Sequence, residues 1–358
     1  MSYVIAAAGT GGHVFPALAV AEALLERGAT RSEIAFFGGD RLEATVYPAE
    51  GFPFIRLELQ SLRRSLSLDN VLLPATVARA AHRAKKELIE REVKAVLGMG
   101  SYVTVPVGWA ARRAGIPLFL HEQNADAGLA NRLMSRFART MFVSFAGTRG
   151  LRSEVLVGNP LRANLARFVR PELRHRALDR YGLSPGPVVV GVFGGSLGAG
   201  AINQAIEALA QGWKGPSIQI LHLAGRAHED DMRALSEHSV VPWTVLGFEE
   251  DMHYFYAACD VVIARAGGAV AEIAATGTPA VLVPGSFGGG HQTANAARFE
   301  AAGAAVVLAE DRLAELPQIL QPLVEEPRLR LDLAAGLKEL AHPEAATEVA
   351  LQLQQAHG

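Results

Sequence analysis

The stretch YVIAAAGTGGHVFPALAVAEALLER, residues 3–27, decides the fold. Its apolar run Tyr3–Ala8 has the length and character of a buried strand. Gly9-Thr10-Gly11-Gly12 then turns the chain, and Val14–Arg27 carries apolar residues at helical spacing. Pro16 falls where the first turn of that helix is expected, a position that tolerates a missing N–H. Strand, glycine turn and helix together open a parallel α/β unit.

The same order returns in PVVVGVFGGSLGAGAINQAIEALA, residues 187–210: a strand at Pro187–Phe193, glycines, then a helix from Ala201 to Ala210. Around the first copy, Ile34–Gly38, Ala95–Gly98, Pro117–His121 and Thr140–Val143 read as strands. Val71–Arg91, Val103–Ala114 and Gly128–Phe137 read as the helices among them. After the second copy, strands are expected at Ile218–Leu223, Val241–Leu246, Val261–Ala264, Ala280–Pro284 and Ala304–Leu308. Two α/β domains with parallel sheets, sharing a cleft, are the economical reading. The join is expected within Gly158–Pro171, where Asn159-Pro160 and Pro171 interrupt regular structure. The expected division is 1–162, 163–341 and a final helix in 342–358 that returns to the first domain.

Composition narrows the partners. A chain of 358 residues, half of them hydrophobic, can bury two cores. A net charge of -2 gives no overall footprint for nucleic acid. Cys259 is the only cysteine, so no intrachain disulfide forms, and it reads as a small buried hydrophobe. The first apolar run is too short for a secretory signal, and no run approaches the roughly 20 apolar residues of a spanning helix.

Chemistry gathers after the strands. His13 follows the first glycine turn, at the carboxyl edge of a parallel sheet, where open α/β folds bind ligands. An imidazole there either abstracts a proton, which a pKa of about 6.5 suits, or bonds to backbone. Gly-x-Gly at residues 9–11 lacks the third glycine of a dinucleotide fingerprint, and Gly194–Gly200 lacks the Gly-Lys-Ser/Thr of a triphosphatase loop. Ser196 offers a hydroxyl to phosphate or caps a helix. Glu272 would accept two ribose hydroxyls or favour a helix dipole. Gln292 and Asn295, behind the glycine loop Gly285–Gly290, would read sugar hydroxyls or stand as surface amides. His121-Glu122-Gln123-Asn124 ends a strand with four polar residues; a metal pair there lacks companions at suitable spacing, and no Asp-x-Asp occurs.

In combination these motifs resemble the undecaprenyl-diphospho-muramoylpentapeptide β-N-acetylglucosaminyltransferases of peptidoglycan synthesis, GT-B enzymes of family 28. The resemblance is carried by GTGGHVFP (residues 9–16), GMGSYV (98–103), HEQN (121–124), GNPLR (158–162), GGSLG (194–198), Asp251-Met252, EIAA (272–275) and Gln292–Asn295, spread along nearly the whole chain. It implies a GT-B fold of two Rossmann-like domains, the first for acceptor and membrane and the second for the UDP-sugar. It implies inverting transfer of N-acetylglucosamine from UDP-N-acetylglucosamine to the muramyl 4-hydroxyl of lipid I, without metal or cofactor, at the cytoplasmic face of the cell membrane. His13 is the candidate base, or else positions the acceptor diphosphate; the remaining roles follow by match to the family's motifs. Thr10, Gly11 and Gly12 would meet the acceptor diphosphate and the donor. Asn124, Gln292 and the Gly268 amide would bind the sugar, Ser196 the diphosphate, Arg162 the phosphates or the donor sugar, and Glu272 the ribose. Uracil would lie by Phe248 and the Glu249 backbone. Glu249 and Leu197 depart from the usual apolar residue and Gln, and Arg265–Glu272 is shorter than usual. Leu-rich, Arg-containing Ser61–Leu73, with Arg79, Arg83, Lys85 and Lys86 on the following helix, would attach to an anionic membrane surface or simply be a solvated basic face.

Overall fold

The computed structural model describes residues 2–59, 68–151, 153–195, 198–285 and 290–357. Two compact units emerge: Met1–Ala163 with His342–Gly358, and Asn164–Ala341.

The first unit is a seven-stranded sheet of β1 (Ser2–Ala6), β2 (Ile34–Gly38), β3 (Phe54–Arg56), β4 (Val93–Gly98), β5 (Leu118–Glu122), β6 (Thr140–Val143) and β7 (Val155–Leu156). Its order is β3-β2-β1-β4-β5-β6-β7, with all pairs parallel. Both faces are covered, which is why the strands read as unbroken apolar runs instead of alternating ones. Tyr3 and Ile5 pack with Val14, Leu18, Phe36 and Phe119; Val4 and Ala6 pack on the other side with Leu88, Val107 and Leu120. Val349 and Leu353 of the last helix, Ala345–Gln354, complete the first of these layers.

The second unit holds β8 (Val188–Phe193), β9 (Ile218–Leu223), β10 (Trp243–Leu246), β11 (Val261–Ala264), β12 (Ala280–Leu282) and β13 (Val306–Val307). They run parallel in the order β10-β9-β8-β11-β12-β13. Each sheet therefore reverses its winding once, between β1 and β4 and between β8 and β11. The crevice at the carboxyl ends of such a pair is where these folds bind ligands.

Two readings need correction. The helix after the first glycine turn spans Gly11–Glu26, so it starts ahead of Val14 and takes Gly11, Gly12 and His13 into its first turn, with Pro16 inside it. The carbonyl of Thr10 causes this by accepting from both His13 and Val14 N–H. Pro171 does not break structure; it stands in the first turn of a helix, Arg170–Tyr181, that ends on left-handed Gly182. A short helix, Glu43–Ala49, and strand β3 occupy a stretch that sequence left unassigned. The basic segment's residues 61–67 lie outside the described residues. No helix is long and apolar enough to cross a membrane, among the described residues.

Candidate active site

In the first unit the site is built where β1 runs out of sheet partners. Buried amides beyond a strand must find other acceptors. Ala7 N–H still reaches the Phe37 carbonyl at 3.1 Å. Ala8 N–H donates to Ser101 Oγ at 3.1 Å, and Gly9 N–H to Glu43 Oε2 at 2.8 Å. Gly9 has φ +106, a backbone state that a side chain would strain. Thr10 is exposed, and Gly11, Gly12 and His13 are half-buried. The Gly11 and Gly12 amides precede the first intrahelical bond, at the positive end of the helix dipole.

The HEQN segment ends β5, at the same sheet edge, and most of it is scaffold. His121 is fully buried; its Nε2 lies 2.9 Å from the Gly158 carbonyl and its Nδ1 3.0 Å from Gln123 Nε2. That pattern makes Nε2–H the donor and Nδ1 the acceptor. Burial pulls the imidazole down to about 4, so it is neutral at physiological pH. Glu122 accepts from Asn124 N–H and Nδ2 (both 3.1 Å) and from Gly128 N–H and Asn131 Nδ2 (both 2.9 Å). With both His121 nitrogens and both Glu122 oxygens engaged, this pair is not poised as a metal site. Asn124 alone among the four is half-buried, and Glu122 fixes its amide.

Arg162 is not brought to this edge. It pairs with Glu22 at 2.8 Å and Glu50 at 3.3 Å. Glu22 lies eleven residues along the helix from Gly11, about 16 Å at 1.5 Å per residue.

In the second unit every described candidate follows the carboxyl end of a strand. Ser196 and Leu197, after β8, lie outside the described residues. Phe248 and Glu249 follow β10; the Arg226 guanidinium covers the Phe248 ring at 4.8 Å. Glu249 is buried and accepts from Tyr181 Oη at 2.7 Å, Asp251 N–H at 2.8 Å and Arg180 at 3.0 Å. Burial alone would raise its carboxyl; the Tyr181, Asp251 and Arg180 donors outweigh that and lower it. The acidic residue in an apolar family position is thus a buried clamp on its own loop.

Gly268 follows β11, and Glu272 lies in the first turn of the helix Val270–Thr276. Glu272 is half-buried by surface, yet its carboxyl sits deep enough that burial pushes it up to about 7, against the opposing hydrogen bond from Tyr256 Oη at 3.0 Å. Once ionised, it can accept from two vicinal hydroxyls. Gln292 Oε1 accepts Gly285 N–H at 2.8 Å. Asn295 is not a surface amide: it is buried and donates to the Ala266 carbonyl at 3.0 Å, bracing the loop that carries Gly268. Sequence reading missed Glu43, Ser101, Tyr181 and Tyr256, each remote along the chain from the residue it holds. Among the described residues, no group of three or more His, Cys, Asp or Glu is placed to hold a metal ion.

Two doubly wound units with glycine turns at their switch points define the GT-B class of glycosyltransferase. Glycosyltransferase family 28 matches through its N-terminal domain at residues 3–143 and its C-terminal domain at 189–349. The chain belongs to that family. Similar proteins include the UDP-N-acetylglucosamine–N-acetylmuramyl-(pentapeptide) pyrophosphoryl-undecaprenol N-acetylglucosamine transferase of Acidithiobacillus ferrooxidans, 40% identical over 98% of this chain and 96% of that one. The like-named protein of Halorhodospira halophila is 40% identical over 99% and 98%. The crystal structure of Acinetobacter baumannii MurG superposes with TM-score 0.78 at 30% identity, over 99% of this chain and all of that one. The UDP-GlcNAc 2-epimerase of Neisseria meningitidis, bound to UDP-GlcNAc, shares the fold with TM-score 0.69 at 16% identity.

Proposed function

We propose that this enzyme transfers N-acetylglucosamine from UDP-N-acetylglucosamine to the muramyl 4-hydroxyl of lipid I, with inversion, giving lipid II. Similarity along nearly the full length to transferases named for that donor and acceptor carries the reading. The site supplies the roles. Glu272 takes the ribose hydroxyls, with uracil against Phe248 and the Glu249 backbone. Gln292, Asn124 and the Gly268 amide hold the sugar, and Ser196 with neighbouring amides holds the diphosphate. Arg162 meets a phosphate in competition with Glu22 and Glu50, which hold its guanidinium. Gly11 and Gly12 amides, with Thr10, receive the acceptor diphosphate.

His13 removes the proton from the attacking 4-hydroxyl as that oxygen bonds to the anomeric carbon from the face opposite UDP. The α-linked donor therefore yields a β-linked product. Charge developing on departing UDP is met by preorganised amides and hydroxyls, the kind of donor that most effectively stabilises a leaving oxyanion. No cofactor or metal enters the scheme. His13→Ala is expected to lower turnover about 10²- to 10⁴-fold. Radiolabelled donor with a lipid I analogue, with diglyceride and with no acceptor tests the whole reading; label on diglyceride, or none on lipid I, would replace it with another UDP-sugar reaction.

A lipid-linked acceptor requires contact with a membrane, at the cytoplasmic face and peripheral. In support, the helices Thr104–Ala114 and Leu129–Met134 expose Trp109, Leu129 and Leu133. Arg113 covers Trp109 at 5.5 Å, and Arg112 and Arg136 cover Phe137 at 4.2 and 5.4 Å. Apolar rings among exposed guanidinium groups suit an anionic headgroup surface.

A further inference from the structure

Glu43 is wholly buried, a costly setting for a carboxylate unless strong donors surround it. Its two oxygens are divided between two loops at one sheet edge. Oε2 accepts Gly9 N–H at 2.8 Å, from the loop after β1. Oε1 accepts Gly39 N–H at 2.9 Å, from the loop after β2, with Arg41 N–H farther off at 3.4 Å. The neighbouring glycines leave room for this arrangement. A Cβ on Gly38 would come within 2.6 Å of Glu43 Cγ, and one on Gly39 would collide with Tyr102 Oη. Beside Gly9, the Ala8 amide is held the same way by Ser101 Oγ, itself 5% exposed. The two consecutive amides that leave the β1 ladder are thus both gripped by side chains remote along the chain, Glu43 at the start of its short helix and Ser101 in the loop after β4. Four residues beyond Gly9 stands His13.

We propose that Glu43 is a positioning residue for transfer: by gripping Gly9 N–H it sets the direction in which the turn presents the Gly11 and Gly12 amides and the His13 ring to the acceptor. Ser101 is the lesser half of the same device. This rests on the reading of that turn as the acceptor side of the reaction. Glu43 touches no substrate; it acts through the backbone it holds.

Glu43→Gln isolates the role. The side chain keeps its size, but both oxygens now accept from backbone N–H, so any orientation of the amide turns an NH₂ group onto one of them. Losing an acceptor for a charge-assisted bond is expected to lower kcat about 10- to 100-fold. Affinity for UDP, held in the other unit, should stay within about twofold, and calorimetric stoichiometry should stay near one per chain. Ser101→Ala should move kcat the same way by less, about threefold. A merely structural Glu43 would instead lower stoichiometry and melting temperature and leave kcat per UDP-binding chain unchanged.

His13→Ala measured in parallel separates the two ideas. Wild-type turnover in Glu43→Gln with a crippled His13→Ala overturns the Glu43 role and spares the His13 reading. Wild-type turnover in both overturns both. Should Glu43→Gln bind no UDP, Ser101→Ala decides: reduced kcat with intact UDP binding supports the device, and an unchanged kcat overturns it.

Discussion

Glu272→Gln should abolish a pH dependence that the wild type shows in binding UDP. Burial holds the Glu272 carboxyl at about 7, against an ordinary 4.5. The uncharged group is therefore a large fraction of the empty site at neutrality. A ribose diol donates two O–H groups and favours the ionised form, so binding is strongest above pH 7. One pH unit below 7 leaves about a tenth of the carboxyl ionised, against half at pH 7, so the dissociation constant should rise about fivefold from pH 7 to 6 and approach tenfold per unit below that. Binding at pH 7 should release about half a proton, visible in calorimetry as a heat that varies with the buffer's ionisation enthalpy. Glu272→Gln should be flat from pH 6 to 8 and weaker at pH 8 by about 10- to 100-fold, the worth of hydrogen bonds to a charged acceptor. Tyr256→Phe removes a bond that lowers the carboxyl, so the inflection should move above 7. For the empty protein the sign is opposite. A raised carboxyl contributes stability that is present below 4.5 and lost as pH rises through 7, and UDP should restore it. A wild-type dissociation constant independent of pH from 6 to 8, or a Gln variant that retains the slope, refutes the assignment of Glu272 to the ribose.

Acid should loosen each unit through one buried histidine. Burial lowers His121 to about 4 and His222 to about 3, from 6.5, so their stabilising effect is whole above 6.5 and falls away below it. About 1.4 kcal/mol per unit should go for each pH unit under 6.5; an unchanged urea midpoint at pH 5.5 would contradict this. Tyr181→Phe takes one donor from Glu249 and should weaken UDP binding about three- to tenfold by releasing the loop after β10, as read by calorimetry; unchanged affinity would leave the clamp without a part in donor binding. Trp109→Ala with Arg136→Glu should reduce sedimentation with anionic vesicles at least fivefold and leave neutral vesicles unaffected; equal binding to both vesicle types would refute an electrostatic attachment.

Periodicity exposed both sheets because parallel strands covered on two faces leave long apolar runs, and Tyr3–Ala8 and Pro187–Phe193 are such runs. Short edge elements carry no such signature. β3 is three residues long and β7 two, each decided by a neighbouring strand more than by its own sequence. Arg170–Tyr181 was legible in principle, since Pro171 near its start and Gly182 after its end are helix signals; the nearby Asn159-Pro160 drew attention to breakage instead. Gly11, Gly12 and His13 could be found because their glycines directly follow the buried run Tyr3–Ala8. Their supports could not. Glu43 resembles a surface carboxylate among Asp40, Arg41 and Leu42, and only the folded sheet puts it under Gly9. In HEQN, sequence gave four polar residues equal standing, whereas the fold buries three and leaves Asn124 at the edge.

The central claim is tested most directly by following UDP release with a lipid I analogue as acceptor, comparing UDP-N-acetylglucosamine with UDP-N-acetylgalactosamine. Sustained UDP release is expected only when the glucosamine donor and the acceptor are both present, with one β-linked disaccharide formed per UDP. Release at the same rate without acceptor, or equal turnover of both donors, would contradict it.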